Sequence, residues 1–147
     1  MVRQIFLPLF LLASLLLSGI VARAQKDRLE GLWYNEEKSA RIRIFRATDK
    51  KFYGKIDWLK VPEADGAPRK DGNNPDAKKR GQPLLGLVIL KGFHPAGENL
   101  YEGGTIYDPK NGKTYSCKIT YKGNVLDVRG YVGISLIGRT TTWTRAE

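Results

Sequence analysis

The chain has 147 residues and a net charge of +10, with 25 lysines and arginines against 15 acids. One cysteine and one histidine rule out an internal disulfide and a zinc site built from His and Cys ligands. The length suits a single core.

The first predicted element is a leader. Arg3 supplies a positive start, and Ile5 to Ile20 is apolar apart from Pro8, two serines and Gly19. Ala22-Arg23-Ala24 then gives the small-x-small pattern of a signal-peptidase site. The pattern predicts a secretory signal peptide over 1–24 and export to the periplasm or beyond. An uncleaved anchor is the alternative, at the lower end of the roughly 17–25 residues a span requires. No cysteine follows that could carry a lipid, so no stable transmembrane anchor is expected after cleavage. The leader holds two arginines and no acid, so cleavage lowers the net charge to +8. In an exported protein this surplus points to an anionic envelope component or to solubility, and no nucleic-acid partner is expected.

Residues 25–147 form one predicted domain that alternates with period two. Gly31-Leu32-Trp33-Tyr34 reads as a first strand and Arg41 to Arg46 as a second. From Lys51 to Leu59, Phe52, Gly54, Ile56 and Trp58 share a face. Leu84 to Leu90 is nearly continuous in apolar residues, as in a more buried strand. Residues 99–107, 113–122, 125–132 and 136–145 complete the set. Asp108-Pro109-Lys110-Asn111-Gly112 and Lys122-Gly123-Asn124 are hairpin turns. About eight short strands joined by tight turns predict an all-β, antiparallel up-and-down barrel.

Lys60 to Pro83 breaks the rhythm with four prolines. Asn74 is a candidate N-cap and Pro75 suits a first helical position, so residues 75–80 are expected to form one helical turn. His94 falls in the turn-like Gly92–Gly97. Cys117 sits on the apolar side of its strand and is expected to be buried and inert.

Phosphate loops, nucleophile elbows and zinc-protease motifs are absent, and no catalytic residue, metal or cofactor is expected. The polar residues that could line a cavity mouth are Arg129, Arg139, Tyr107, Asp108 and Tyr115. A structural alternative has an arginine stacked on Trp33 or Trp143 at one barrel end.

In combination, several motifs carry a family resemblance. They are Gly31-Leu32-Trp33, Asn74-Pro75-Asp76 with Arg80, Pro83-Leu84-Leu85-Gly86, and Gly104-Thr105-Ile106-Tyr107-Asp108-Pro109 with Gly112-Lys113-Thr114-Tyr115. Leu126-Asp127-Val128-Arg129-Gly130-Tyr131, with Gly138-Arg139-Thr140 and Trp143, completes them. The chain resembles the DUF2147 family of exported bacterial proteins over nearly all of residues 25–147. The resemblance implies a small lipocalin-like barrel and brings no established catalytic residue.

The leading expectation is a non-enzymatic binding module for a small apolar or amphipathic ligand. Its candidate contacts are Trp33, Asp71, Asn74, Arg80, Tyr107, Asp108, Tyr115, Arg129, Arg139 and Trp143. Inward positions are expected at Trp33, Ile42, Ile44, Phe52, Ile56, Trp58, Tyr115, Cys117, Ile119 and Val128. Gly54, Gly86, Gly104 and Gly130 could leave room for a ligand, or could only permit tight coiling. One alternative is an envelope hydrolase using Asp71, Asp76, Asp108 and Arg80. Another is an interaction protein docking through Arg69, Lys70, Lys78, Lys79 and Arg80. At the closure of the barrel, Arg139 or Arg145 is expected against Trp33.

Overall fold

The computed structural model describes residues 24–146, so the predicted leader, apart from Ala24, lies outside the described residues. The strands are β1 (Gly31–Tyr34), β2 (Ala40–Arg46), β3 (Phe52–Leu59), β4 (Glu63–Ala64), β5 (Ala67–Pro68), β6 (Val88–Pro95), β7 (Leu100–Asp108), β8 (Lys113–Tyr121), β9 (Val125–Tyr131) and β10 (Gly138–Ala146). Eight of them close into an antiparallel barrel in the order β1-β10-β9-β8-β7-β6-β3-β2. The short β4 and β5 pair with each other inside the long connection from β3 to β6. Neighbours along the chain are neighbours in the barrel, so tight turns suffice everywhere except in that connection. Closure occurs at β1, where Trp33 stands between Ile42 of β2 and Arg145 of β10. Among the described residues no helix is long and apolar enough to cross a membrane.

Alternation works because each barrel strand sends every second side chain inward. On β2 these are Ile42 and Ile44, on β8 Cys117 and Ile119, and on β9 Leu126 and Val128, all buried. The chain enters and leaves the barrel so that one end is filled. Leu29 and Trp33 are fully buried there, and the Trp33 indole N–H donates to the Leu29 carbonyl at 2.9 Å. Phe52, Phe93 and Tyr101 fill the same half, with the Phe52 and Tyr101 rings edge to face at 5.4 Å. A Cβ on Gly104 would come within 2.5 Å of the Phe93 ring, and one on Gly54 within 2.8 Å of Leu90. These two glycines therefore make room for core side chains rather than for a ligand. Gly86 lies outside any strand, at φ +87°, and serves a turn.

Further sequence expectations are corrected. Trp58 is 37% exposed and points outward. Arg41 pairs with Trp58 while Ile42 pairs with Ile56, so Asp57 is an extra residue in β3 and the alternation flips after it. The fourth barrel strand is Val88–Pro95 rather than 84–90. Leu84 is buried from a turn, Leu85 is exposed, and His94 pairs with Glu102 inside β6 instead of lying in a turn. The last strand starts at Gly138, which leaves Leu136 and Ile137 in a loop. Finally, the helical turn is a 3-10 turn at Ala77–Lys79 capped by Asp76, whose carboxylate accepts from the Lys78 N–H. Asn74 acts one step earlier, accepting from the Asp76 N–H at 2.9 Å.

Candidate functional site

The half of the barrel away from Trp33 is hollow. Four connections surround its mouth: residues 35–39, 60–87, 109–112 and 132–137. Below them lies an open cavity of about 700 Å³. Its floor and walls are apolar and include Ile42, Ile56, Leu59, Leu84, Ile89, Ile106, Val128 and Trp143. Most of the apolar side chains facing one another here are aliphatic, Trp143 apart, whereas the filled half has Phe52, Phe93 and Trp33. Gly130 also lines the hollow, and a Cβ placed on it would meet Ile106 and Tyr115 only at 3.5–3.6 Å. The volume falls within the roughly 300–1,000 Å³ range of small-molecule sites, and an apolar wall with a few polar groups is their usual composition.

Polar groups collect at the rim. Glu37 pairs with Lys110 at 2.6 Å, and that hydrogen-bonded ammonium holds the carboxyl below its ordinary range. Glu36 accepts from the Thr142 N–H at 3.1 Å. The Tyr115 hydroxyl accepts from Asn111 at 3.0 Å. Arg69 and Arg139 line the same mouth. Among the described residues neither guanidinium makes an ion pair or a side-chain hydrogen bond, although the charge of Arg139 also helps to lower the Glu37 carboxyl, so two cations without a bonded partner stand over an apolar hollow.

One side of the mouth is built by residues 60–87, which are tied down rather than loose. Asp71 is the one fully buried charged residue among those described. It accepts from the Tyr107 hydroxyl and from the Asn74 amide, both at 2.7 Å. Burial, then the bond to Asp71, pushes the Tyr107 phenol up to about 12. Asn73 donates to the carbonyls of Pro109 and Lys110 in the β7–β8 turn. Gly112, at φ +71°, lies so close to the Asn73 carbonyl that no Cβ fits between them. Arg80 donates from Nε to the Asn74 carbonyl at 2.8 Å.

The family profile described as "Uncharacterized protein conserved in bacteria (DUF2147)" matches residues 31–145, the whole barrel. The chain belongs to the DUF2147 family. A solved structure reported as protein HP1028 from the human pathogen Helicobacter pylori, belonging to the lipocalin family, is similar at 29% identity with a TM-score of 0.71. The match covers 81% of this chain and 83% of that one. No curated protein matches. The DUF2147 chain is thus a lipocalin-like barrel by structure.

Within this DUF2147 barrel the ten candidate contacts separate into three groups. Tyr107, Asp108, Tyr115, Arg139 and Trp143 line the cavity. Asp71, Asn74 and Arg80 hold the long connection together. Trp33 lies in the filled end, and Arg129 lies outside the hollow, where it grips the β9–β10 loop through the Ser135 carbonyl at 2.7 Å and the Leu136 carbonyl at 3.2 Å. The carboxylates proposed for hydrolysis have separate structural duties. Asp71 binds Tyr107 and Asn74, Asp76 caps the 3-10 turn, and Asp108 accepts from the Lys110 N–H at 2.9 Å. Cys117 is fully buried, and burial pushes its thiol up to about 12, far from the thiolate a nucleophile needs. Sequence reasoning missed Arg69 as a rim residue of the hollow, having grouped it with the basic loop. It missed Ile106 and Ile89 as well. A cavity is a shortage of side-chain volume, and neither residue carries a local sign of that.

Proposed function

We propose that this protein is an exported envelope component that binds one small amphipathic molecule in the open half of its barrel. The observation that carries the reading is the apolar hollow of about 700 Å³, open at one end and closed at the other by Trp33 and Leu29. The unpaired Arg69 and Arg139 at its rim suit an anionic headgroup above an apolar body, because a guanidinium offers several fixed donors to a carboxylate or phosphate. The lipocalin relationship reported for the Helicobacter pylori protein supports the same class of role. Export rests on the Arg3, Ile5–Ile20, Ala22-Arg23-Ala24 pattern.

The test is titration with 1-anilinonaphthalene-8-sulfonate and with medium- and long-chain fatty acids. Saturable one-to-one binding is expected, with fatty acid displacing the dye. Gly130→Leu should weaken dye binding at least tenfold without lowering the melting temperature by more than a few degrees, since its added branch enters open space. Absence of saturable binding, or unchanged binding in Gly130→Leu, would refute the reading. Export is tested by the N-terminus of the protein recovered from a periplasmic extract, which should begin at Gln25.

A further inference from the structure

Seven large apolar side chains are exposed among the described residues: Trp58, Val61, Leu85, Val132, Ile134, Leu136 and Ile137. Every one lies at or beside the open end. Trp58 is next to last in a strand that runs toward it, and the other six sit in connections around the mouth. The filled end has none. Four of the seven occupy a single six-residue loop between β9 and β10. Val132 is 72% exposed, Ile134 59%, Leu136 84% and Ile137 71%, and the loop carries no charge. Scattered apolar residues on a surface need no explanation, but this concentration on one turn does.

The loop is also braced in this posture. Arg129 donates to the carbonyls of Ser135 and Leu136 and to the Thr140 hydroxyl, and the Ile137 N–H bonds to the Ile134 carbonyl. Its backbone is partly satisfied from behind, which lowers the cost of taking it out of water. Cations stand beside it. Lys118 reaches Ser135 Oγ at 3.5 Å, and Arg139 follows the loop directly in β10. The three acids at the rim are already engaged, Glu36 by the Thr142 N–H, Glu37 by the Lys110 ammonium and Asp108 by the Lys110 N–H. Across the mouth, the 60–87 connection carries six cations against four acids, and one of those acids is the buried Asp71.

We propose that the open end of the barrel docks on an anionic lipid bilayer, with the β9–β10 loop entering the hydrocarbon boundary and the neighbouring lysines and arginines meeting the headgroups. An apolar tip with basic flanks fits that occupant, since insertion gains from apolar area and from attraction to anionic lipid without needing a matching shape. A stable protein partner would instead need a complementary surface within a total of roughly 1,200–2,000 Å². Docking goes beyond the cavity reading and does not depend on what the cavity holds.

The test is co-sedimentation of the mature protein with vesicles of phosphatidylglycerol and phosphatidylcholine, compared with phosphatidylcholine alone. Binding at least tenfold tighter to the anionic vesicles is expected, reduced but not abolished by salt, because only the charge component is screened. Ile134→Ser with Leu136→Ser should weaken vesicle binding at least tenfold, and Leu136→Ser alone should do so in part. Neither residue lines the cavity, so dye binding and melting temperature should stay as in the wild type. The proposal is overturned if the wild type ignores anionic vesicles, or if the double variant binds them equally well. It is also overturned if the loop mediates a lipid-free dimer that the double variant abolishes, since the loop would then be an interface between copies.

Discussion

Replacing Arg145 by alanine should destabilise the barrel while leaving its cavity intact. The guanidinium carbon lies 4.0 Å from the centroid of the Trp33 ring. Its Nη2 donates to the Arg28 carbonyl at 2.6 Å and its Nη1 to the Glu30 carbonyl at 3.4 Å. One side chain therefore joins the last strand, the indole of the first strand and the segment that plugs the end. Gly31 is shaped around it, with φ +136° and only 2.8 Å between a built Cβ and Nη1. The cation–indole contact contributes about 0.5–2 kcal/mol. The shorter hydrogen bond, from a charged donor, adds on the order of 1–2 kcal/mol after allowing for its partial exposure. A total of about 2–3 kcal/mol corresponds to a fall in melting temperature of roughly 6–12 °C for a domain of this size. Urea unfolding followed by tryptophan fluorescence reads the loss as a lower midpoint. Arg145→Lys should fall between, because an ammonium keeps the cation but not the fork. Fatty-acid and dye affinity should not change in either variant, since Arg145 belongs to the filled end. An Arg145→Ala midpoint equal to that of the wild type would refute the closure argument.

Other consequences follow from the same contacts. Asp71→Ala should cost about 2–4 kcal/mol, because it leaves the Tyr107 hydroxyl and the Asn74 amide without their buried acceptor. Limited proteolysis should then cut within residues 60–87 before the barrel unfolds. Gly112→Ala should produce the same cleavage pattern, since the added Cβ displaces Asn73 and sits at positive φ. Asp57 pulls against its own burial, which would raise its carboxyl. The hydrogen bonds from Arg41 and Arg43 prevail and hold it below 3.8. A depressed folded-state value means stability present above 3.8 and lost as pH falls below it, so Asp57→Asn should flatten that acid limb of the stability curve. Tyr107 has the opposite sign. Its folded value near 12 lies above the ordinary 10.0, so its contribution holds up to about pH 10 and fades as pH approaches 12. Tyr107→Phe should remove the part of the alkaline transition that belongs to it.

The strand pattern was readable because half-buried strands leave a period-two trace. Arg41 to Arg46 and Tyr115 to Tyr121 show it plainly, and both form strands close to the expected limits. The pattern fails where a backbone irregularity intervenes. Nothing in Ile56-Asp57-Trp58-Leu59 announces the extra residue that turns Trp58 outward and Leu59 inward. It fails again in Leu84 to Leu90, because a continuous apolar run has no period to read. Leu84 and Leu87 use their apolar character in a turn that packs on the core, not in a strand. The rim residues Tyr107, Asp108, Tyr115 and Arg139 could be named because they are polar groups at strand ends. Asp71, Asn74 and Arg80 were conspicuous for the same reason, yet the structure uses them on one another. Composition alone does not separate a carboxylate that holds a loop from one that faces a ligand.

The two ends of the barrel divide stability from recognition, and the division can be traced to side-chain size. Trp33, Phe52, Phe93 and Leu29 bring enough volume to fill one half, and Gly54 and Gly104 are small so that Leu90 and Phe93 can enter. In the other half the inward residues are mainly isoleucine, leucine and valine, with Gly130 opposite Ile106 and Tyr115, and the same barrel radius is left unfilled. An unfilled apolar space loses the dispersion contacts that a packed one gains, so it is a standing cost to the fold. The filled end and the Arg145 clamp offset that cost without touching the cavity, and the Asp71 anchor does so from behind the cavity-lining Tyr107. Substitutions that stabilise the free protein by filling the hollow should therefore reduce ligand binding, whereas those at the Trp33 end should change stability alone. The exposed loop at 132–137 belongs to the same economy, since it adds nothing to the core and is braced only by Arg129 and its own turn. Val132 and Ile137 also line the cavity, but Ile134 and Leu136 do not, and their apolar side chains have meaning only toward something outside the barrel.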